Sequence, residues 1–470
     1  MNDSPVDPDA ATEIADVLRL SQELALRYID SLDKRDIGVA TDHQTLHAAL
    51  GKPLSDEPLP PQQVIEELFE AADPGVVATS AGRFFGFVEG GVLPAALGAD
   101  WLASTWDQNP AFYVLSPAAA TAEEVVSQWL LDLLRLPAEA SVGFTTGAQL
   151  ANVAGLAAGR HHVLKAVGWD VEADGLQGAP PVTVVVGEER HATIGRALRF
   201  LGLGERNVTV IPADAQGRLD PSALASALRD VDGPLIVCAQ AGNVNTGAFD
   251  PFQEIAELCH ESDGWMHVDG AFGLWAAASP RLRHLTSGVE LADSWAVDAH
   301  KWLNVPYDSA IVACAHPDSH RSALALHAPY LIRHTDALRD GSDWTPESSR
   351  RARVFAIWAA LRSLGRKGVV SMIETCCEHA ESFAAQLATH PEIDILNDVV
   401  LNQVLVRMGD DDERTRQTAR RVQEQGRSWL ADTVWHGKAA IRISVSDHAT
   451  TAADVTEAVR TIISAAEQQL

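Results

Sequence analysis

Basic residues are scarce in this chain of 470 residues. It has 36 Lys and Arg against 64 Asp and Glu, so its formal net charge is −28. Nucleic acids and anionic membrane surfaces carry the same sign of charge and would repel it. Neither is therefore predicted as a partner, and the acidic surface by itself indicates only solubility.

Cysteines and long apolar runs are also few. The five cysteines are odd in number and form no C-x-x-C pair, which argues against a disulfide framework and a zinc site. No stretch reaches the roughly 18–20 apolar residues of a membrane helix, and the acidic, proline-bearing N-terminus is unlike a signal peptide. The G-x-S-x-G signature of serine hydrolases is missing as well. We expect a cytoplasmic protein without a catalytic metal.

The middle of the chain alternates short apolar runs with amphipathic segments. Strands are predicted at Val182–Val186, Val208–Ile211, Leu235–Cys238, Met266–Val268, Trp295–Val297 and Ala310–Cys314. Continuous apolar strands separated by helices indicate an α/β fold with a mainly parallel sheet covered on both faces. Two helix starts agree with this, because Asp220-Pro221 and Asp250-Pro251 each place a capping Asp before a Pro at the first helical position.

The regions on either side of this α/β segment have a different pattern. The N-terminal part is predicted to be helical, with an amphipathic run around Leu18–Leu32. After about residue 345 we predict helices and strands in the order Arg350–Leu364, Val369–Leu387, Gln403–Arg407, Ala440–Val445 and Ala452–Ala466. Helices with a few strands indicate a smaller α+β domain. The predicted organisation is an N-terminal helical arm (1–75), a large α/β domain (76–345) and a C-terminal α+β domain (346–470).

Two motifs in the α/β segment favour binding of a phosphate and a ring. Thr145-Thr146-Gly147-Ala148 precedes a predicted helix at Gln149–His161, and small residues there leave backbone N–H groups free for a phosphate. A plain tight turn is the alternative. His191 follows the strand Val182–Val186, at the edge where open α/β sheets place ligands. A hydrogen-bonded structural histidine is the alternative there.

Two further motifs favour covalent chemistry on a pyridine ring. Asp269 ends a buried strand, where a carboxylate is costly unless it meets a cation such as a protonated pyridine nitrogen or a structural salt-bridge partner. Ala271 is small enough to admit a flat ring. Lys301, in Asp298-Ala299-His300-Lys301-Trp302, is either an exposed lysine or a nucleophile toward an aldehyde. Together the four motifs are the parts that a pyridoxal phosphate site requires.

With these motifs in this order, the chain from about Phe84 onward resembles the group II amino-acid decarboxylases, which are fold-type-I pyridoxal phosphate enzymes. The family includes aromatic-L-amino-acid and glutamate decarboxylases, and His300-Lys301-Trp302 is the most specific short match. The resemblance implies a seven-stranded type of sheet and a homodimer with active sites at the subunit interface. It implies that Lys301 forms the Schiff base and that Asp269 pairs with the ring nitrogen. It also implies that His191 stacks on the ring and that Ala271 lies beneath it. The residues that it implies around the cofactor's phosphate are Thr146, Gly147, Ala148 and His300.

The chain departs from this family at the loop that carries the proton donor. Aromatic decarboxylases have a mobile loop whose tyrosine donates a proton to the substrate carbon. An ungapped count back from the Arg350-Arg351 pair places that position on Gly341, and Asp336–Asp343 contains no tyrosine. His334 or a water molecule is the alternative donor. Family members without the tyrosine can instead release an aldehyde in an oxygen-dependent reaction.

Four other residues are candidates for contacts with cofactor or substrate. Asn243 stands where the family's decarboxylases often have threonine, and it is interpreted either as a cofactor contact or as a turn residue. Arg442 is either a fork for the substrate carboxylate or an interface residue, and a carboxylate held in the ring plane would resist decarboxylation. Phe85 and Phe87 belong either to the core or to a pocket for an aromatic or apolar side chain.

The leading hypothesis is decarboxylation of an L-amino acid, with an aromatic one favoured, by pyridoxal phosphate on Lys301. The alternative is another pyridoxal phosphate reaction at Cα: oxidative decarboxylation–deamination, aldol-type cleavage or transamination. Gly341 and Arg442 favour this alternative. A protein that keeps the cofactor without turnover is a third hypothesis, but it would have no need of Lys301.

Overall fold

The structure is a computed structural model that describes residues 8–39, 41–326 and 338–468. Its strands are β1 (Ser141–Thr145), β2 (Thr183–Gly187), β3 (Val208–Ile211), β4 (Leu235–Gln240), β5 (Trp265–Asp269), β6 (Ser294–Asp298), β7 (Ala310–Cys314), β8 (Ile393–Ile395), β9 (Gln403–Met408), β10 (Ala431–Trp435) and β11 (Lys438–Ser444). Its α-helices are α1 (Pro8–Ser31), α2 (His43–Leu50), α3 (Pro61–Ala72), α4 (Pro94–Trp106), α5 (Pro117–Leu133), α6 (Ala148–Ala166), α7 (Val171–Asp174), α8 (Ala192–Phe200), α9 (Pro221–Leu228), α10 (Phe252–His260), α11 (Ala299–Trp302), α12 (Pro317–Leu324), α13 (Val354–Leu387), α14 (Asp412–Glu424) and α15 (Ala452–Glu467).

A seven-stranded sheet forms the centre of the molecule, in the order β1-β7-β6-β5-β4-β2-β3. Strands β2 to β6 are parallel, whereas β7 runs antiparallel to both of its neighbours. Every residue of β5, β6 and β7 is buried, as expected for apolar strands covered by helices on both faces. The predicted α/β class and mainly parallel sheet are confirmed. The carboxyl ends of β4, β5 and β6 therefore meet at one edge.

The local pattern located most of these strands, but it missed β1. The six predicted strands agree with β2 to β7 within two residues at either end. Strand β1 has the sequence Ser-Val-Gly-Phe-Thr, in which glycine and serine weaken the strand signal. It pairs with β7 through residues far apart in sequence, so its assignment depends on tertiary contacts.

One of the two predicted helix caps is wrong. The Asp220 carboxylate accepts hydrogen bonds from the backbone of Ser222 and Ala223, as a capping residue does. Asp250 instead accepts from the N–H groups of Leu219 (2.8 Å) and Gln240 (2.7 Å), and α10 begins two residues later. Burial raises the pKa of Asp250 to about 6. Its carboxylate therefore ties the end of β4 to the segment before α9 rather than starting a helix.

The C-terminal part contains a second sheet, with the order β10-β11-β9-β8 and antiparallel pairing throughout. The two helices predicted before it form α13, which is interrupted at Gly365 (φ 58°, ψ 177°). Helix α14 and the strands β8 and β10 were not predicted. In the N-terminal part α1 packs on α3, where Arg27 lies over the ring of Phe69 at 4.3 Å. The domain boundaries after residues 75 and 345 stay predictions.

No helix within the described ranges is long and apolar enough to cross a membrane. The five cysteines are buried free thiols.

Candidate active site

A cavity of about 130 Å³ opens at the carboxyl edge of the large sheet. Among the residues that line it are six of the predicted site residues: Lys301, Asp269, His191, Ala271, Phe87 and Arg442. They come from the ends of strands β5 and β6, the start of α8, the segment before α4, and β11. A larger cleft of about 810 Å³ lies near the opposite ends of β4 to β6 and contains none of these residues. Chemistry rather than size therefore identifies the candidate site.

Lys301 lies on the short helix α11, directly after β6. Its Nζ is 3.1 Å from Oδ2 of Asp298, a buried residue that ends the strand. The other oxygen of Asp298 accepts a hydrogen bond from the N–H of Ala148 at 2.6 Å. Asp298 thus connects the lysine to the N-terminus of α6.

Asp269 ends β5, and its carboxylate is held by donors from three segments. Oδ2 accepts from Nδ2 of Asn152 (3.3 Å) and from Oγ1 of Thr193 (3.4 Å), and Oδ1 accepts from the N–H of Ala271 (3.2 Å). No Lys or Arg of the described residues forms an ion pair with it. A buried carboxylate with neutral donors only is set to receive a cation.

His267 holds Asn152 in the orientation that Asp269 needs. Its Nε2 donates to Oδ1 of Asn152 at 2.9 Å, and its Nδ1 accepts from the Ser294 hydroxyl at 2.8 Å. Burial lowers the pKa of His267 to about 3, so the ring is neutral and carries one donor and one acceptor. The amide nitrogen of Asn152 is then directed at Asp269.

Acidification is expected to destabilise the protein through His267. An unfolded histidine takes up a proton below about pH 6.5, whereas the folded one resists protonation down to about 3. The free energy of unfolding should therefore fall with decreasing pH across this window, by up to about 1.4 kcal/mol per pH unit for this residue. Urea unfolding at several pH values measures the slope. His267→Gln should have a shallower slope, and an unchanged slope in this variant would contradict the assignment.

His191 lies at the start of α8, beside Asp269. Its Nδ1 accepts a hydrogen bond from the N–H of Thr193 (3.3 Å) and lies 2.8 Å from the hydroxyl of the same residue. Burial lowers the pKa of His191, so its ring is neutral near pH 7. A neutral flat ring at the cavity wall fits the stacking role that the resemblance implies.

The predicted phosphate contacts lie together at the N-terminus of α6. Gly147 precedes the first turn of this 19-residue helix, and a side chain there would approach His300. His300 is buried, its Nδ1 accepts from the N–H of Ser309 (3.2 Å), and its ring lies 4.1 Å from that of Tyr307. The dipole of a helix N-terminus suits a phosphate, but the N–H of Ala148 is already bonded to Asp298. Thr146 precedes Gly147 and is not among the residues that line the cavity.

The side chains of Asn243 and Phe85 are directed away from this cavity. Oδ1 of Asn243 accepts from the N–H groups of Asn245 (2.8 Å) and Thr246 (3.2 Å), and its Nδ2 donates to the carbonyl of Glu189 (3.3 Å). These bonds are those of a turn residue. Phe85 is fully buried and packs edge-to-face on Phe383, with ring centroids 5.0 Å apart, so it belongs to the core.

Gly341, the position to which the ungapped count assigns the family's loop tyrosine, has no room for a side chain. Gly341 is buried, and a side chain there would collide with the guanidinium of Arg350 and the carbonyl of Pro110. Arg350 cannot move aside easily, because it forms a buried ion pair with Glu123 (2.6 Å). The predicted alternative His334 lies outside the described residues.

Three contacts of the candidate site were missed from the sequence. Asn152 and Thr193 hold Asp269, and Asp298 contacts Lys301. A polar residue within the apolar run Ala151-Asn152-Val153-Ala154 is a signal that could have found the first. Asp298 stands in the same short motif as the lysine but was given no role.

The residues around the cavity fit pyridoxal phosphate. The lysine amine can bond to an aldehyde, and the cation-free carboxylate of Asp269 suits a protonated ring nitrogen. The N-terminus of α6 suits the phosphate, and Ala271 leaves space for the ring. Lys301, Asp269 and Ala271 line one cavity, and Asp298 connects Lys301 to the N-terminus of α6, as a single flat ligand with three such ends requires.

Comparisons with known proteins agree with this chemistry. The family model described as the pyridoxal-dependent decarboxylase conserved domain matches residues 44–408. Tryptophan decarboxylase TDC1 of Camptotheca acuminata is 26% identical over 461 residues, which covers 94% of this chain and 91% of the relative. The 4-hydroxyphenylacetaldehyde synthase of Rhodiola rosea is 26% identical over 455 residues, with 91% of each chain covered.

Solved structures share the fold. The Oryza sativa TDC with PLP and tryptamine superposes with a TM-score of 0.91 at 23% identity, over 99% of both chains. Mouse CSAD gives a TM-score of 0.89 at 22% identity, over 98% of this chain and 100% of the other. Because the family model spans more than half of the sequence and the lysine site is complete, this chain belongs to the pyridoxal-dependent decarboxylases and uses pyridoxal phosphate as its cofactor.

Proposed function

We propose that this protein removes the α-carboxylate of an aromatic L-amino acid as carbon dioxide and releases the amine. The proposed preference for an aromatic substrate rests on the position of Phe87. This residue lines the cavity of Lys301, and 57% of its surface is exposed. Its ring stacks on Trp429 (centroids 5.3 Å apart), which stacks in turn on Phe84 (4.9 Å). An aromatic ring held in place at the cavity suits an aromatic side chain of the substrate.

When bound, pyridoxal phosphate supplies the electron sink that makes cleavage of a bond to Cα feasible. The protein's own residues decide how it is used. Lys301 provides the amine that bonds to the aldehyde, and Asp269 stabilises positive charge at the ring nitrogen. His191 covers the ring as a neutral group. The bond that breaks is the one held perpendicular to the ring, so the position of the substrate carboxylate matters most.

Arg442 is the proposed ligand of that carboxylate. Its Nη1 donates to the carbonyl of Val244 at 3.3 Å, and no Asp or Glu of the described residues forms an ion pair with it. Burial lowers the pKa of Arg442, because its positive charge is less stable away from water. A substrate carboxylate would offset that cost through a pair of parallel hydrogen bonds.

Arg442→Met is expected to raise the KM for the amino acid about 10- to 100-fold, the value of hydrogen bonds to a charged group. Steady-state kinetics measures this change. Tryptamine, which lacks the carboxylate, serves as the control, and its inhibition constant should not change. A KM equal to that of the wild type would contradict the role. A variant that decarboxylates faster would mean that Arg442 holds the carboxylate in the ring plane.

Oxidative decarboxylation–deamination is the second candidate. It is favoured by the aldehyde synthase of Rhodiola rosea, which is as similar to this chain as the tryptophan decarboxylase. In that reaction the amino acid, oxygen and water give the aldehyde, carbon dioxide, ammonia and hydrogen peroxide. Gly341, at the position to which the count assigns the family's loop tyrosine, also favours a reaction other than simple decarboxylation.

The test is product analysis with purified enzyme loaded with pyridoxal phosphate. L-Tryptophan, L-tyrosine, L-phenylalanine, L-glutamate and L-2,4-diaminobutyrate are supplied in air and without oxygen. Carbon dioxide and amine from the aromatic substrates in both atmospheres are expected. Aldehyde with peroxide, in air only, would establish the second candidate. Turnover of the non-aromatic substrates alone, or a keto acid without carbon dioxide, would overturn the proposal.

We also propose that the protein is a homodimer. Apolar side chains are exposed along α1 (Ile14, Leu18, Leu26 and Ile29) and along α4 (Trp101, Leu102 and Trp106). Such faces are typical of surfaces covered by another chain. Light scattering during gel filtration should give twice the 50.4 kDa of one chain, and a single-chain mass would exclude the dimer. The cytoplasmic location stays a prediction from the sequence.

A further inference from the structure

Three segments of the chain meet behind the cavity at the side chain of Asn304. This residue follows Lys301 by three positions, is fully buried and has a left-handed backbone (φ 53°). Asparagine tolerates this conformation better than most residues with a side chain. None of the site chemistry described above uses it.

The Asn304 carboxamide forms hydrogen bonds to all three segments. Oδ1 accepts from the N–H groups of Gly91 (2.9 Å) and His448 (2.9 Å). Nδ2 lies within hydrogen-bond distance of the carbonyls of Ser446 (3.0 Å), Trp302 (3.2 Å) and Lys301 (3.4 Å). One amide therefore connects the turn of the catalytic lysine, the segment before α4 and the segment after β11.

The two segments that Asn304 connects to the lysine turn also carry the proposed substrate contacts. Phe87 lies four residues before Gly91, and Arg442 lies four residues before Ser446 on β11. Both side chains line the cavity with Lys301. The position of the substrate relative to the lysine thus depends on how these three segments are aligned.

Contact between the segments is close enough for small shifts to matter. A side chain at Gly90 would collide with the carbonyl of Lys301, and one at Gly91 would collide with the carboxylate of Asp447. At Gly90 the backbone therefore touches the backbone of the lysine turn directly. The backbone of Asn304 adds a further bond, since its carbonyl accepts from the N–H of Leu93 at 2.9 Å.

We propose that Asn304 is a positioning residue, whose carboxamide aligns Lys301 with Phe87 and Arg442 so that a bound substrate meets the lysine-held cofactor in reacting geometry. The identity of the substrate contacts rests on the proposed function. The carboxamide is suited to this role because it combines an acceptor and a donor on adjacent atoms. Aspartate has the same shape, but its second oxygen would face three carbonyl oxygens and repel them.

The experiment compares Asn304→Asp and Asn304→Gly with the control Asn402→Asp. Asn402 is equally buried and donates to the carbonyl of Val445 (2.9 Å) and to Oγ of Ser446 (3.1 Å). The control therefore introduces the same oxygen-to-carbonyl repulsion into the same C-terminal segment, but away from the lysine turn. Glycine at position 304 adopts the left-handed backbone freely and removes the carboxamide.

Both Asn304 variants are expected to bind pyridoxal phosphate on Lys301 and to lose about 100-fold in kcat, with a smaller change in KM, because misplacement by about 1 Å has this effect. The visible circular dichroism of the bound cofactor, which needs no substrate, should change too. Asn402→Asp should have a lower melting temperature than the wild type, but its kcat should stay within about threefold of the wild-type value.

The proposal is overturned if the Asn304 variants keep kcat and the dichroism signal, or if Asn402→Asp loses as much kcat. Failure of both Asn304 variants to fold while Asn402→Asp folds would make Asn304 a folding residue only, which also overturns it. All kinetics are measured with whichever amino acid the wild type turns over. A wrong substrate class would therefore appear in the wild type, separately from any effect of Asn304.

Discussion

Lys301→Ala is expected to abolish the visible absorbance that arises when pyridoxal phosphate bonds to the enzyme, and to reduce turnover by about 10⁴-fold or more. The reason is that Lys301 Nζ faces the cavity and lies 3.1 Å from Asp298, where its amine is held in place. The lysine side chain is one-fifth exposed, so its removal leaves no large gap in the core.

Absorbance spectra before and after gel filtration, with circular dichroism to verify folding, make this measurement. Borohydride reduction of the wild type and mass mapping should place the label on the peptide that contains Lys301. Lys438→Ala is the control, because Lys438 pairs with Asp410 (3.0 Å) in the C-terminal sheet region. A normal cofactor band in Lys301→Ala would refute the site assignment.

Asp269→Asn is expected to leave the lysine–cofactor bond in place but to lower kcat by about 10²- to 10³-fold, the usual effect of removing one group that stabilises developing charge. The amide keeps the shape of the side chain but not its negative charge. It also presents a donor to Asn152 and Thr193, which both donate to Oδ2 in the wild type. Weaker retention of pyridoxal phosphate should accompany the loss of kcat.

Stopped-flow or steady-state kinetics and the dissociation constant of pyridoxal phosphate measure these effects. Asp250→Asn is the matched control, because Asp250 is also a buried carboxylate on the same side of the sheet but accepts only from backbone N–H groups. Equal losses in the two variants would mean that Asp269 acts through stability. A wild-type kcat in Asp269→Asn would remove it from the mechanism.

Local pattern predicted the positions of the candidate site residues best where each residue stands at the end of its own strand. Asp269 and Lys301 follow apolar runs that the sequence marks plainly, and parallel strands bring their carboxyl ends to one edge. Asn243 and Phe85 were harder, because a side chain's direction depends on its neighbours in space. Asp250 has the spacing of a cap, but its partners Leu219 and Gln240 lie on other segments.

The sequence by itself determined the α/β class, the family and the motifs around Lys301, Asp269 and Gly147, because these depend on periodicity and on residues adjacent along the chain. Only the tertiary structure decided which side chains hold these motifs in position relative to one another. Asn152 reaches Asp269 across 117 positions, and Asn304 reaches Gly91 and Ser446 across 213 and 142. Hydrogen bonds of this kind form only after packing has brought distant segments together, so no local pattern encodes them.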